Sequence, residues 1–401
     1  MMSGVTLTAA SRQNLLALQD TAALQATTQN RLSTGKKVSS ALDNPVSFFT
    51  AQGLDNRAND LNTLLDGISN GIQTIQAANQ GITNLTKLVE QAKGLVNQAL
   101  ATQLATSGTA STAFSAATAA ASNGGVISFY LNGTLKTSAA IAATDTIDQA
   151  ITKLNTAAGN NIFSKDSTGT KIVVNASADL EFKTAGDQGA LGFAAGSGTG
   201  VTYGAVTTPP QSADLTVSGV STRASIASQF NSLLTQIDQL ARDASYNGVN
   251  LINNGAASNK LHIQFNEKDT SNLDVQGIDL TSAGLSLVAV TSTSVSTTTL
   301  GQGNFLLDVD IKTTLNSLTA ASDKLRSSAS TFGSNLSVVQ NRQDFTKNLI
   351  TILNNGSANL TSADLNEEAA NSQALSTRQS LGISALSLAN TAQQQVLQLL
   401  R

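Results

Sequence analysis

The sequence predicts a mainly α protein with an inserted α+β module. Long antiparallel coiled-coil rods come from its N- and C-terminal segments, joined by a small β-hairpin and the inserted domain. Three observations carry this. Near both ends of the 401-residue chain, apolar residues recur in alternating steps of four and three. Between those stretches lies text rich in Gly, Ser and Thr, with short strand-like alternations. Only 12% of residues are charged and 4% aromatic, so the surface must be largely uncharged and polar.

In chain order, residues 1–53 read as a terminal helix, about 11–32, and a linker. Leu15, Leu18, Ala22 and Leu32 are its candidate contact positions. A first rod, 54–104, follows from the seam Leu54, Ala58, Leu61, Leu65, Ile68, Ile72, Ile75, Asn79, Ile82, Val89, Val96 and Leu100. At about 1.5 Å per residue such a helix is a rod of roughly 70 Å, which needs a partner along its length. The matching seam lies in 301–355: Ile311, Leu315, Leu318, Ser322, Leu325, Ala329, Phe332, Leu336, Val339, Gln343, Thr346, Ile350 and Leu353. Two such stripes can bury each other as an antiparallel coiled coil. The polar Asn79, Ser322, Gln343 and Thr346 either fix its register or face a wet gap.

The intervening 105–214 read as the inserted domain, with a strand at 126–131 turning at Asn132-Gly133, a helix at 147–157 and strands at 162–165, 171–175 and 180–183. Gly and Pro then punctuate 196–210. Within 215–300 a second rod helix, 223–244, precedes a loop and a hairpin of 261–265 with 273–278. The last segment, 356–401, holds a helix of about 365–400, and Asp364 and Glu367 have the spacing of a capping box at its start. Leu381, Ala385, Leu388, Ala392, Val396 and Leu399 form a narrow stripe on it. The other face is Gln, Ser, Thr and Asn, and Arg378 is the last charge before Arg401. Amides and hydroxyls can be buried if hydrogen-bonded, so that face reads as prepared for burial against other copies.

Composition and motifs exclude much. A net charge of -3 from 23 basic and 26 acidic residues, with no basic cluster, argues against nucleic acid and anionic membrane as partners. No apolar run reaches spanning length, and the first eight residues lack a basic head with an apolar stretch, so neither membrane insertion nor a cleaved leader is expected. The chain has no Cys and a single His, which removes thiolate metal sites, two-His zinc motifs and Cys/His nucleophiles. His262 alternates to the outer face of its strand as an exposed residue. Gly196-Ser197-Gly198-Thr199-Gly200 lacks the Lys of a phosphate loop and reads as linker. The pairs Asp308/Asp310 and Glu267/Asp269 could approach a cation, but the better reading is solvated carboxylates. No cofactor, metal or catalytic constellation is expected.

Specific strings resemble the bacterial flagellins. Residues 30–41, Asn-Arg-Leu-Ser-Thr-Gly-Lys-Lys-Val-Ser-Ser-Ala, with Asp43-Asn44-Pro45 after them, are similar to the family's N-terminal signature. Ile237-Asp238-Gln239-Leu240-Ala241 and the Tyr246-Asn247-Gly248 loop resemble its second helix and the loop after it. Ser362-Ala363-Asp364-Leu365-Asn366-Glu367-Glu368 resembles the acidic opening of its last helix, and 389–401 its C-terminus. The module at 126–183 also resembles a small domain found in some flagellins and hook-associated proteins, here interrupting the N-terminal half.

The resemblance implies a homopolymer, alone or with related flagellins, that forms the extracellular flagellar filament for swimming. It implies that the inserted 105–214 is a variable outer domain. It implies export in an unfolded state by the flagellar type III apparatus. The implied partners are the flagellar cap, hook-associated proteins and the export machinery, including a chaperone at the C-terminus. In members that vertebrate innate immunity detects, an Arg-bearing string on the first rod meets the receptor. The matching positions here include Leu85, Val89 and Glu90, with Val89 at an Arg position. Two other functions compete. One is a hook–filament junction protein. The other is a cell-surface binding module whose Phe129, Tyr130 and Tyr203 stack on sugars, unless those aromatics are core.

Overall fold

The computed structural model describes residues 9–196, 212–291 and 303–399. In chain order the elements are α1 (Ala9–Thr34), α2 (Pro45–Ala101), β1 (Ala105–Thr109), α3 (Ala116–Ala121), β2 (Ser128–Leu131), β3 (Thr134–Thr137), α4 (Ile147–Ala158), β4 (Phe163–Lys165), β5 (Ile172–Ala176), β6 (Leu180–Phe182), α5 (Ala185–Ala190), β7 (Leu215–Ser218), α6 (Val220–Asp243), β8 (Lys260–Gln264), β9 (Asn272–Gln276), α7 (Asp308–Thr361) and α8 (Leu365–Leu399). The chain divides into two compact units. The first is Met1–Ser69, Gln264–Asn272 and Gln340–Arg401; the second is Asn70–Ile263 and Leu273–Val339.

In the first unit α1 packs on α8, and the early part of α2 packs on the late part of α7. The long helix α2 starts nine residues before the seam begins, because the Asn44 side chain accepts from the Ser47 amide and Pro45 has the φ of a first helical position. Ala58, Leu61, Ile350 and Leu353 form the core there. Between α1 and α2 the chain is stapled to the α7–α8 junction: the amides of Lys37 and Val38 donate to the Thr361 carbonyl, and that of Ala363 to the Gly35 carbonyl.

The second unit contains the rest of both long helices, α6 and the inserted module. The module's core, with Ile127, Phe129, Leu154, Ile172 and Phe182 among its buried residues, is closed by a four-stranded sheet ordered β4-β5-β1-β7 and a three-stranded sheet ordered β3-β2-β6. Phe129 is fully buried and Tyr130 half-buried, so Phe129 cannot stack on a sugar; Tyr203 and 197–200 lie outside the described residues. Entry and exit strands pair antiparallel, Ala105 opposite Ser218. Gly108 makes this possible, since a Cβ there would sit 1.9 Å from the Asp214 carbonyl oxygen.

Two acidic residues at the start of α7 depart from the solvated reading. Asp308 bonds the buried Arg223, and Asp310 is itself buried. His262, half exposed on β8, contacts Asp274 on β9 through Nδ1, and Lys260 pairs with the same carboxylate at 2.7 Å.

Candidate assembly surface

Along α1 the more buried positions are Ser11, Asn14, Leu18, Thr21, Gln25 and Thr28; along α8 they are Glu368, Ser372, Leu375, Gln379, Gly382, Leu386 and Ala389. Both follow the 4-3 alternation of a coiled-coil seam, yet most of these side chains are hydroxyls, amides or small groups. Large apolar groups point outward instead: Leu16 and Leu24 on α1, Leu381 (64% exposed), Ile383 and Leu388 (73%) on α8.

This corrects the expectation that the amide and hydroxyl face of the last helix awaits other copies. Part of that face, Ser372 and Gln379, pairs with α1, and the leucine stripe lies exposed beside the remaining hydroxyls. Small residues let the backbones approach, as at Gly382, where an added Cβ would lie 3.0 Å from Leu18 Cδ2. Arg31 Nη1 meets Glu368 Oε1 at 3.1 Å, and the Asp364 carboxylate caps α8 by accepting from the amides of Asn366 and Glu367. Among the expected contact residues, Leu15, Ala22, Leu32, Leu381, Ala385, Leu388 and Ala392 are exposed, while Leu18 is half-buried in the pair. Val396 and Leu399 belong to α8, and their side chains lie outside the described residues.

In the first unit, Leu61 and Ile68 are buried and Leu65 half-buried, and Gln343 Nε2 donates to Ser69 Oγ at 2.9 Å across the helix pair. In the second unit, Ile72, Ile75, Leu318, Leu325, Phe332 and Val339 are buried, with Leu315 and Leu336 half-buried. There Ser322 Oγ donates to Glu90 Oε1 at 3.1 Å. Gln343 and Ser322 thus bond across the pair, whereas Thr346 returns its hydroxyl to the Arg342 carbonyl of its own helix. Leu85 and Val89 are fully buried, which removes both from any surface a receptor can reach; Glu90 and Lys87 are exposed.

Sequence reasoning missed a second set of outward apolar residues. Leu42 is 97% exposed at the tip of the turn before α2, with Val46 (77%) and Phe49 following on that helix. The turn is tightly built: Asp43 Oδ2 accepts from the amides of Ser39 and Ser40 at 3.0 and 2.9 Å and from both hydroxyls. Those bonds, the Ser39 amide foremost, hold the Asp43 carboxyl below the usual carboxylate range. On α7, Phe345 and Ile352 are likewise exposed. Among the described residues, thirteen of the eighteen exposed large hydrophobics belong to the first unit, about a third of the chain. Serial apolar residues signal a core in sequence, so only the packed structure shows that these lie outside it.

Residues 5–123 match the family model for the bacterial flagellin N-terminal helical region, and 315–400 the one for the bacterial flagellin C-terminal helical region, together just over half the chain. The chain belongs to the bacterial flagellin family. It is similar to Flagellin FljK of Caulobacter vibrioides, 32% identical over 176 residues, which are 44% of this chain and 59% of that one. Flagellin FljM of the same organism is 34% identical over 176 residues, with the same shares of 44% and 59%. Flagellin C of Rhizobium meliloti is 28% identical over 204 residues, 42% of this chain and 64% of that one. The matches thus span about three fifths of these flagellins' own length.

Proposed function

We propose that this chain is a structural subunit, not an enzyme, which polymerises with itself into the extracellular filament of the bacterial flagellum. The carrying observation is the inverted polarity of the α1–α8 pair, whose seam is largely polar while Leu16, Leu24, Leu381 and Leu388 face out. An uncovered apolar stripe of that length marks an interaction surface, and a closely packed polymer would cover it with other copies. Both helices fall within the regions matched to flagellins, which supports self-assembly over an unrelated partner. Export in an unfolded state by the type III apparatus, with a chaperone on α8, is part of the same reading. So are contacts with the flagellar cap and hook-associated proteins.

The test is elongation. Purified chain is added to sheared fragments of its own filaments and followed by electron microscopy. Filaments that lengthen in proportion to added chain are expected; a chain that stays monomeric on its own seeds would overturn the reading.

A further inference from the structure

We propose that the turn before α2 is a preorganised apolar anchor, Leu42 with Val46 and Phe49, received by the exposed Phe345–Ile352 face of α7 in a second copy of this chain. The proposal rests on the filament reading and names one contact within it.

An exposed leucine alone needs no explanation. Here, however, the surrounding chain is built to hold it in solvent. The base of the segment is fixed by the Lys37 and Val38 amides on the Thr361 carbonyl, and its tip is closed by one Asp43 oxygen accepting four hydrogen bonds. The Leu42 amide is held too, by Ser40 Oγ at 3.3 Å. A backbone fixed in this way loses little freedom on docking, so only the leucine's own rotamers must be ordered, the property of an interface anchor. Val46 and Phe49 extend the apolar surface along the first turns of α2.

The receiving face lies elsewhere in the same unit. Leu54 of α2 lies against Gly356 of the antiparallel α7. At 1.5 Å per residue, Phe49 and Phe345 are therefore displaced in opposite directions along the pair, by about 24 Å in all. One copy cannot cover its own patch. A neighbouring copy, displaced along the pair, can. Because anchor and seat are different surfaces, the contact is heterologous, repeats from copy to copy and has no need to close, as an open helical polymer requires. Both patches fall inside the matched flagellin regions, so every copy carries both. Phe345 and Ile352, one heptad apart on one face of α7, offer that leucine two exposed apolar contacts.

The chain contains no Cys, so a single introduced thiol is unique. In full-length chain, Leu42→Cys carrying a benzophenone maleimide is polymerised on seeds, irradiated and mapped by mass spectrometry. Cross-links to residues 341–356 of another copy are expected. In parallel, Leu42→Asp should raise the critical concentration for seeded elongation at least tenfold, while Leu42→Met stays within about twofold. The monomer's circular dichroism and melting should not move in either variant, since the residue touches no core. Cross-links to α1, α8 or the module would overturn the assigned seat. Unchanged elongation of Leu42→Asp would overturn the anchor and leave the filament reading intact. Failure of the parent chain to elongate would overturn both.

Discussion

Arg223 Nη2 lies 2.9 Å from Asp308 Oδ1, and this pair is the keystone beneath the inserted module. The same guanidinium donates through Nε to the Thr102 carbonyl and through Nη1 to the carbonyls of Phe305 and Leu306. It thereby ties the end of α2, the approach to α7 and the start of α6, using the fixed fork that only arginine offers. Asn132, at the tip of the β2–β3 turn, adds its amide to the other Asp308 oxygen at 3.1 Å.

Replacing Arg223 with Met leaves those carbonyls and the carboxylate without their shared donor. The expected loss is about 3 kcal/mol, read as a lower denaturant midpoint of the monomer. Arg223→Lys should recover less than half of it. A loss under about 1 kcal/mol in the Met variant would show that the carbonyls find other donors.

Asp310 supplies a pH dependence. Burial pushes its carboxyl up to about 6, against an unfolded value of 3.8. The folded chain therefore holds that proton more tightly than the unfolded one. Its contribution is most favourable below about pH 4 and is lost as pH rises through 6. Asp310→Asn should melt above the parent at pH 8, by about 1 to 3 kcal/mol, and match it near pH 4. An advantage that persists at pH 4 would point to a cause other than ionisation.

The outward leucines of α8 should matter only between copies. Leu381→Ser combined with Leu388→Ser is expected to leave the monomer's unfolding unchanged and abolish seeded elongation. With so polar a seam, α1 and α8 should also be the first segments lost to protease in dilute monomer, and become protected in filaments. Resistant ends in the monomer would contradict this.

Removing 106–214 and bridging the flanks with a short Gly-Ser turn should yield a chain that still elongates on seeds. Ala105 and Ser218 already face each other across a ladder, so the closure is short. Loss of elongation with intact folding would assign assembly to the module.

The resemblance to receptor-activating flagellins implies an Arg position at Val89, and Val89 is fully buried. Lys87 nearby is exposed but offers one ammonium instead of a five-donor fork. Soluble monomer should therefore activate the vertebrate flagellin receptor in reporter cells at least about tenfold less than an enteric flagellin, the equivalent of roughly 1.4 kcal/mol. Equal potency would contradict the prediction.

The rods were legible because their signal is periodic and local: Leu61, Ile68, Ile72 and Ile75 are buried where the steps of four and three put them. β1 was not. Its text, Ala-Thr-Ser-Gly-Thr, has loop composition and becomes a strand because it is flanked by β5 and β7, partners distant in sequence. Arg223 read as the start of a helix and nothing more, since its acceptors lie 82 to 121 residues away. The α1–α8 pair was half legible. Its stripe was found, but which face turns inward depends on how closely Gly382 and its small neighbours let the helices approach.

To the helices around it, the paired Ala105 and Ser218 make the whole module equivalent to a tight turn. That junction is a port. A folded insert whose own termini lie about 5 Å apart, the spacing of facing residues in an antiparallel ladder, meets its geometric requirement. In a homopolymer such an insert is presented once per subunit at fixed spacing. A binding group too weak to hold its target singly would gain avidity from that array with no change in the contacts that build it.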